Sequence, residues 1–399
     1  MQASLEIFLD SEYDGFYFLG HASALLKIGK ELILCDPIWE MPKEPKPYEN
    51  FLFYPHQVIA TEILSRITAC VVSHEHADHW SPSILKKLKC PVHIMDGRPR
   101  LRDRLGSHAE IIERPAKKWS PLVGDVSVFF VPNPKNTVDS SCLIRGKDLC
   151  IYAGSDNFLD RNLCQVVATA TKHVDVACIP YACVFYYPHL LEMDESKKKE
   201  EAIRLKKHSL DEARMFIDIV RPGIAVPFGN NLFYCEGPNH PLNAYLAKPS
   251  ELWGALPLAG GDYVLKRGSS LVPFLFPVEF LNEWEALPPM AFSVELSDKE
   301  LTSIMSRVRK APGVIPWHAI RVNDVVTIDA HSRRVYEGLA ESIVRDRKLH
   351  YFWFDSSVFH AWASGKITFE GALGSRRFKY SRNPDEFNPS LADWWANHL

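Results

Sequence analysis

A short apolar run, ACVVS at residues 69–73, ends without a break in the segment SHEHADHW at residues 73–80, and this junction constrains the chain more than any other feature. A wholly apolar run of that length reads as a strand buried on both faces. The polar residues at its end therefore leave a rigid element and enter a loop. In extended backbone, residues two apart point the same way, so His74 and His76 can bind one metal together. The chain then turns, which lets Asp78 and His79 face a second metal beside the first. Neutral imidazoles and a carboxylate suit Zn²⁺, Fe²⁺ or Mn²⁺. The plain alternative is four polar residues on a surface loop, but H-x-H-x-D-H arises by chance in a chain of this size on the order of one time in a thousand.

The rest of the chain bounds the setting of that box. At 399 residues it is long enough for roughly two domains. Hydrophobic residues at 46% and charged residues at 24% suit a globular protein. A net charge of −3 gives no reason to expect nucleic acid or an anionic membrane surface as partner. No apolar run approaches the ~18 residues that span a bilayer. The opening MQASLEIFLDSEYDG lacks the basic-then-apolar layout of a signal peptide, so a cytoplasmic location is expected. The nine cysteines are scattered and sit mostly inside apolar runs, as buried free thiols would. Cys90 and His93 have metal-like spacing but no second pair to complete a site.

Periodicity sketches the elements. Residues 16–36 read as two strands around a turn, FYFLGHASALLKI and ELILCD joined at GK. SPSILKKLK at 81–89 has a Ser cap and a first-turn Pro, a helix start. Strand-like runs follow at 91–95, 110–113, 126–131, 141–145, 149–153 and 223–228, with a charged helix over roughly 194–221. Residues 232–262 read as a long ordered loop rich in Gly, Pro and Asn. A composition shift near 285 starts a second unit with amphipathic segments around 297–310 and 335–346. Its aromatics are expected to fill a small core or to dock on the first unit.

GHAS (20–23), LILCDP (32–37), the HEHADH box and IYAGSD (151–156) together resemble the metallo-β-lactamase superfamily from the first strand to about residue 270. The resemblance implies an α/β chain: a metallo-β-lactamase-type αββα sandwich over 1–282, with metals at one edge of the two sheets, followed by a small C-terminal α+β domain over 283–399. It implies that Asp36 buttresses the metal loop and that Asp156 bridges two metals. The superfamily's third histidine should fall just before SSCLIRG, where this chain has none. Asp139 is the substitute ligand this implies, with Asn136 the runner-up and a single-metal site as the other option. The superfamily's last histidine follows the strand that GIAVPF occupies; here that place reads Gly229-Asn230-Asn231. His240 is the nearest histidine, either an exposed loop residue or a ligand.

VDSSCLIRG, PFGNNLFYCEGPNHP, LAGGDYVLKRG and the C-terminal SRNPDEFNPSLADWWANHL resemble one subgroup more narrowly, the CMP-N-acetylneuraminate hydroxylase-like family. Its members pair a lactamase-fold domain with a Rieske iron–sulfur domain, and this sequence has no Rieske C-x-H…C-x-x-H pair. The carboxylate at Asp139 is also similar to the pattern of lactamase-fold diiron oxygenases, since hard oxygen donors shift preference from zinc toward iron. Three functions are expected on these grounds. The first is O₂-dependent hydroxylation or oxidation of a small molecule by a diiron site, with Asp156 and Asp139 in the catalytic set and electrons from a separate donor protein. The second is a dinuclear zinc or manganese hydrolase of an ester, lactone or phosphodiester. The third is a non-catalytic binding module that kept the fold.

Overall fold

The computed structural model describes residues 2–10, 12, 14–38, 51–53, 61–76, 78–133, 138–157, 159–182, 187–229, 232–234, 246–247, 251–252, 261–266, 270–275, 297–310, 318–322, 326–329, 334–337, 349–354, 356–365, 367, 372–373, 375 and 378–383. The chain opens on helix α1 (Gln2–Asp10) and strands β1 (Gly15–Gly20), β2 (Ser23–Ile28) and β3 (Glu31–Cys35). Strands β4 (Phe51–Phe53), β5 (Ala69–Val71), β6 (Val92–Met95) and β7 (Ile111–Arg114) come after it, with α2 (Pro82–Leu85) and α3 (Pro99–Gly106) between them. Next come β8 (Ser120–Val123), β9 (Val126–Pro132), β10 (Ser140–Arg145), β11 (Cys150–Ala153), α4 (Arg161–Ala170), β12 (Val176–Pro180), α5 (Glu195–Val220) and β13 (Ile224–Phe228). Strands β14 (Leu232–Tyr234), β15 (Gly261–Lys266) and β16 (Ser270–Leu275) close this part.

Among the described residues these strands build two large sheets. One has the order β16-β15-β1-β2-β3-β5-β6-β7, the other β13-β12-β11-β10-β9-β8, while β14 and β4 pair separately. Alternation along the strands explains why the sheets stack. Phe16, Ala24, Leu26 and Ile33 of the first sheet meet Val128, Phe130, Ile144, Ile151 and Val226 of the second in one buried core. Their chain neighbours face the other way. Tyr17, Leu25 and Leu34 pack with Phe8 of α1, Leu85 of α2 and Leu101 of α3. Phe129, Leu143 and Tyr152 pack with Leu163 of α4 and Phe216 of α5. Burial on both faces is why these strands are apolar at nearly every position, and the layer order is the αββα sandwich that the resemblance implies.

The helix expected over 194–221 is α5, capped by the Asp194 carboxylate, which accepts from the Ser196 and Lys197 amides. The reading of 16–36 as two strands is corrected. The first of them is cut after Gly20 into β1 and β2, whose register shifts between Phe18 and Gly20. Gly20 at φ 117° and His21 at φ 49° turn the chain there. A glycine accepts such a backbone freely, and histidine is among the few other residues enriched in it.

Beyond residue 297, helix α6 (Asp298–Lys310) precedes β17 (His318–Val322), β18 (Val326–Asp329), β19 (Arg334–Glu337), β20 (Leu349–Phe354), α7 (Ser356–Ala363) and β21 (Phe378–Asn383). The segment near 335–346, read as amphipathic, begins as strand β19. These strands form a sheet of order β19-β18-β17-β20-β21. Phe352, Phe354, Phe378 and Tyr380 stack on it, with Trp362 and Phe359 of α7 beside them. Its edge strand β21 reaches the first part of the chain: Tyr380 donates to the Leu190 carbonyl and accepts from the Glu192 amide, at 2.9 and 2.8 Å.

Gly154, at the end of β11, marks a close approach between β11 and β12. A Cβ there would lie 2.4 Å from the Cys178 carbonyl oxygen and 2.6 Å from Pro180. Gly154→Ala is expected to lower unfolding free energy by about 1–3 kcal/mol, read from urea denaturation. An unchanged midpoint would mean that β11 and β12 are not packed this closely.

Candidate metal centre

Strands β3 and β5 run parallel, with Cys35 opposite Val71, so both chains leave the first sheet at the same edge. The loop after β11, in the facing sheet, arrives at that edge too. Asp36 ties the three segments together. It is 3% exposed and sits at φ 44°. Its Oδ1 accepts from the Ser73 amide at 2.8 Å, and its Oδ2 accepts from Ser73 Oγ at 2.8 Å and from Ser155 Oγ at 3.0 Å. The same Oδ2 lies 2.9 Å from His79 Nδ1. That contact orients the ring and leaves Nε2 to point away from the buttress, the usual arrangement behind a metal-binding imidazole. Ser73 Oγ does the same for His74, at 2.9 Å from its Nδ1.

Two groups of donors converge in front of this buttress. His74, His76 and Asp139 form one, with their donor atoms all within 4.8 Å of one another. His74 Nε2 is 2.9 Å from His76 Nδ1 and 3.9 Å from Asp139 Oδ1. His21, Asp78, His79 and Asp156 form the other under the same limit. His79 Nε2 is 3.2 Å from Asp156 Oδ2 and 4.0 Å from Asp78 Oδ2, and His21 Nε2 is 3.4 Å from Asp78 Oδ2. Asp156 Oδ2 also lies 4.0 Å from His74 Nε2, so this carboxylate stands between the groups.

Of the residues the sequence singles out, His74, His76, Asp78, His79, Asp139 and Asp156 are thus brought to one place, with Asp36 behind them. His240 and Asn136 lie outside the described residues. Cys90 and His93 lie at β6, where His93 Nδ1 accepts from Arg114 Nε at 3.2 Å. His21 is the residue the sequence reading missed. In the sequence its tetrapeptide GHAS carries the resemblance and reads as the inside of a strand. The signal that could have found it is the Gly-His pair, since a glycine before a polar ring inside an apolar run marks a break that turns the ring out of the strand pattern.

The electrostatics suit a cation. Burial and the neighbouring His79 and His76 rings push the His74 imidazole well below its usual value, which leaves it neutral with a lone pair to give. Burial works to lower His79, yet Asp156, Asp78 and Asp36 outweigh it and hold that ring well above its usual value. Burial likewise works to raise Asp78 and Asp156. The His79 and His21 rings overcome it and keep both carboxyls low, Asp78 well below the carboxylate range. A metal ion would supply the positive charge that a proton on His79 supplies in its absence. Asp156 Oδ1 adds a second sign. It is buried, with no hydrogen-bond partner among the described residues, which is costly for a carboxylate oxygen unless something else meets it. The donor set therefore fits one or two divalent ions. Solvent reaches the centre at His76, which is exposed, and at Asp78, whose side chain is 36% exposed.

The Asp139 side of the centre is gripped separately. Arg98, at the start of α3, donates to the Asp139 carbonyl at 3.1 Å, and the Asn133 backbone N–H donates to the same oxygen at 3.1 Å. Ser140 Oγ donates to the Ser73 carbonyl at 2.5 Å, joining β10 to the histidine loop. Arg100 Nη1 is 3.2 Å from Glu75 Oε1, and Arg104 donates to the Glu75 carbonyl.

No protein-family description matches the chain, and no curated protein matches it. Solved structures do. CmlA, a diiron β-hydroxylase from Streptomyces venezuelae, is 16% identical over 55% of this chain and 45% of its own, with a TM-score of 0.38. This chain therefore spans less than half the length of that hydroxylase. Igni18, a metallo hydrolase from the archaeon Ignicoccus hospitalis, is 16% identical over 66% of this chain and 99% of its own, at 0.43. The metallo-β-lactamase fold protein YhfI from Bacillus subtilis is 12% identical over 53% of this chain and 90% of its own, at 0.32. The layer order of the sheets and helices, with the histidine box at the end of β5, makes the fold metallo-β-lactamase-type.

The buttress gives a test that leaves every donor in place. Asp36→Asn keeps the size of the side chain and removes its charge, so it cannot accept from all its present donors. Metal affinity is expected to fall about 10–100-fold in equilibrium dialysis while the circular dichroism spectrum is kept. Unchanged affinity would show that His79 is oriented by something else.

Proposed function

We propose that this chain is a metal-dependent enzyme with a dinuclear centre, preferring iron, that hydroxylates or oxidises a small molecule with O₂. Electrons would come from a separate donor protein, and the resemblance to the CMP-N-acetylneuraminate hydroxylase-like subgroup supports the oxidative reading. The observation that carries the reading is the Asp139 carboxylate beside the His74–His76 pair. With it, three carboxylates, Asp78, Asp139 and Asp156, stand among the imidazoles, and anionic oxygen donors favour a harder and more highly charged ion than imidazoles alone do. His74, His76 and Asp139 would hold one ion, Asp78 and His79 the other, and Asp156 would be shared. Bound iron would supply the redox chemistry.

The chain's own residues do the rest. Asp36 and Ser73 fix the ring orientation of His79 and His74, so little reorganisation accompanies binding. The apolar core behind β3, β5 and β11 keeps water from the rear of the centre. Substrate would arrive over the exposed side, at His76 and Asp78. A second reading, a zinc or manganese hydrolase of an ester, lactone or phosphodiester, is favoured by one atom. Asp156 Oδ1 is buried and without a hydrogen-bond partner among the described residues, and in this reading it would orient an attacking water.

Metal analysis of protein purified without added metal, with an optical spectrum under air, separates the readings. The oxidase reading expects about two iron ions per chain and reductant-dependent O₂ uptake. Zinc or manganese, with no O₂ uptake after reconstitution with iron, would sink it in favour of hydrolysis. His76→Ala and Asp78→Ala are each expected to lose metal and turnover with the fold kept, because the apolar sheet faces carry the stability. Full metal content in either variant would remove the site assignment.

Asp139→His gives the sharper test. It would rebuild a shell of neutral nitrogen donors, so zinc binding should persist while O₂ uptake falls at least about tenfold. A variant that keeps full O₂ uptake would show that the carboxylate does not set the metal preference.

A further inference from the structure

His21 reaches the centre from a different part of the fold than any other donor. It sits in the two-residue turn between β1 and β2, fully buried at 0% exposure. Its φ of 49° is a conformation that a side-chain-bearing residue adopts at a cost and that tends to persist where a site requires it. The turn is pinned by the end of β13: the Gly229 amide donates to the His21 carbonyl at 2.9 Å. The ring stands edge-on to His79, with centroids 5.1 Å apart and planes at 62°. Its Nε2 is 3.4 Å from Asp78 Oδ2.

We propose that His21 is a metal ligand, the imidazole that completes the Asp78–His79–Asp156 group. The inference rests on the metal reading above and adds to it a donor that neither the histidine box nor the loop after β13 contains. A buried histidine is more often a satisfied core residue than a ligand. A core residue, however, packs against apolar side chains, whereas this one shares its space with two carboxylates and a second imidazole whose donor atoms all lie within 4.8 Å of one another. Two imidazoles and two carboxylates make a four-donor set, the number a divalent zinc-like ion takes.

The end of β13 explains why the donor comes from the opposite sheet. Gly229 has a φ of 71°, and a Cβ there would lie 3.1 Å from the Ser155 carbonyl oxygen and 3.4 Å from Asp156 Oδ1. A side chain at that position would press on the Ser155 carbonyl, next to the shared carboxylate, in a backbone conformation that favours glycine. β13 therefore contributes backbone instead: its terminal amide holds the turn that presents His21.

The test counts ions in the whole protein. His21→Asn suits the left-handed backbone and adds no bulk to the buried turn, so the fold is expected to be kept. After anaerobic reconstitution with zinc or ferrous iron, the wild type should hold about two ions per chain, His21→Asn about one, and His240→Ala about two. Two ions in His21→Asn overturn the inference, and a loss in His240→Ala alone reassigns the ligand to His240. A wild type that binds no ion removes the metal reading of the whole centre, which is a different failure. Crystals of the zinc-loaded wild type decide the matter even if the asparagine variant misfolds. A His21 nitrogen should lie about 2.0–2.1 Å from an ion, and a ring left beyond ordinary contact with both ions overturns the inference.

Discussion

The carboxylate of Asp36 is the point on which the rest of this edge of the molecule depends. A buried carboxylate is costly unless its oxygens are met. Here one backbone amide, two serine hydroxyls and one imidazole meet it. Hydrogen bonds to a charged acceptor contribute about 1.5–3 kcal/mol each, against about 1 for neutral pairs. The arrangement is therefore stable only when all the contributing segments are in place at once. Those segments come from both sheets: Ser73 and His79 from the loop after β5, Ser155 from the loop after β11. The register that sets Cys35 opposite Val71 fixes where Asp36 leaves the sheet, and its own amide closes the pairing by donating to the Val71 carbonyl at 2.9 Å. Sheet packing and ligand geometry are in this sense one constraint.

Much of this was legible in the sequence because burial writes itself into composition. Strands β5, β11 and β13 are covered on both faces, so their residues are apolar in unbroken runs, and the polar residues at their ends stand out by contrast. The charged helix α5 announced itself through its Lys/Glu run. Other elements carried weaker signals. Helix α3 has Arg at 100, 102 and 104 and only Leu101 and Leu105 buried, so its apolar face is two residues wide. Strand β8 has the pattern SPLV, too short to show a period.

The break at Gly20 was harder to read for a different reason. The strands on either side of it are apolar and lie in one sheet, so apart from the Gly-His pair only backbone dihedral angles distinguish a strand that continues from one that folds back. That single dihedral choice decides whether His21 reads as an interior strand residue or as a side chain delivered to the sheet edge. The histidine box carries its meaning in local spacing. His21 carries it in a contact between residues 57 or 58 positions apart, His21 with Asp78 and His79, which no local pattern encodes.

The two donor groups differ in what holds them, and this difference bears on how the centre would work. The group around His79 stands on the Asp36 hub and on the β1–β2 turn held by Gly229, so its imidazoles are set by contacts buried between the sheets. The group around His74 is mixed. His74 itself is buried and fixed by Ser73, but His76 is exposed, and Asp139 is positioned through its backbone by Arg98 and Asn133. Arg98 belongs to the start of α3, whose neighbouring Arg100 and Arg104 grip Glu75 inside the histidine box. A shift of α3 would therefore act on Asp139 and, through Glu75, on the histidine loop whose Ser73 and His79 meet Asp36. One half of the centre stands on contacts buried between the sheets. The other carries the exposed His76 and is joined through Arg98 to the start of α3.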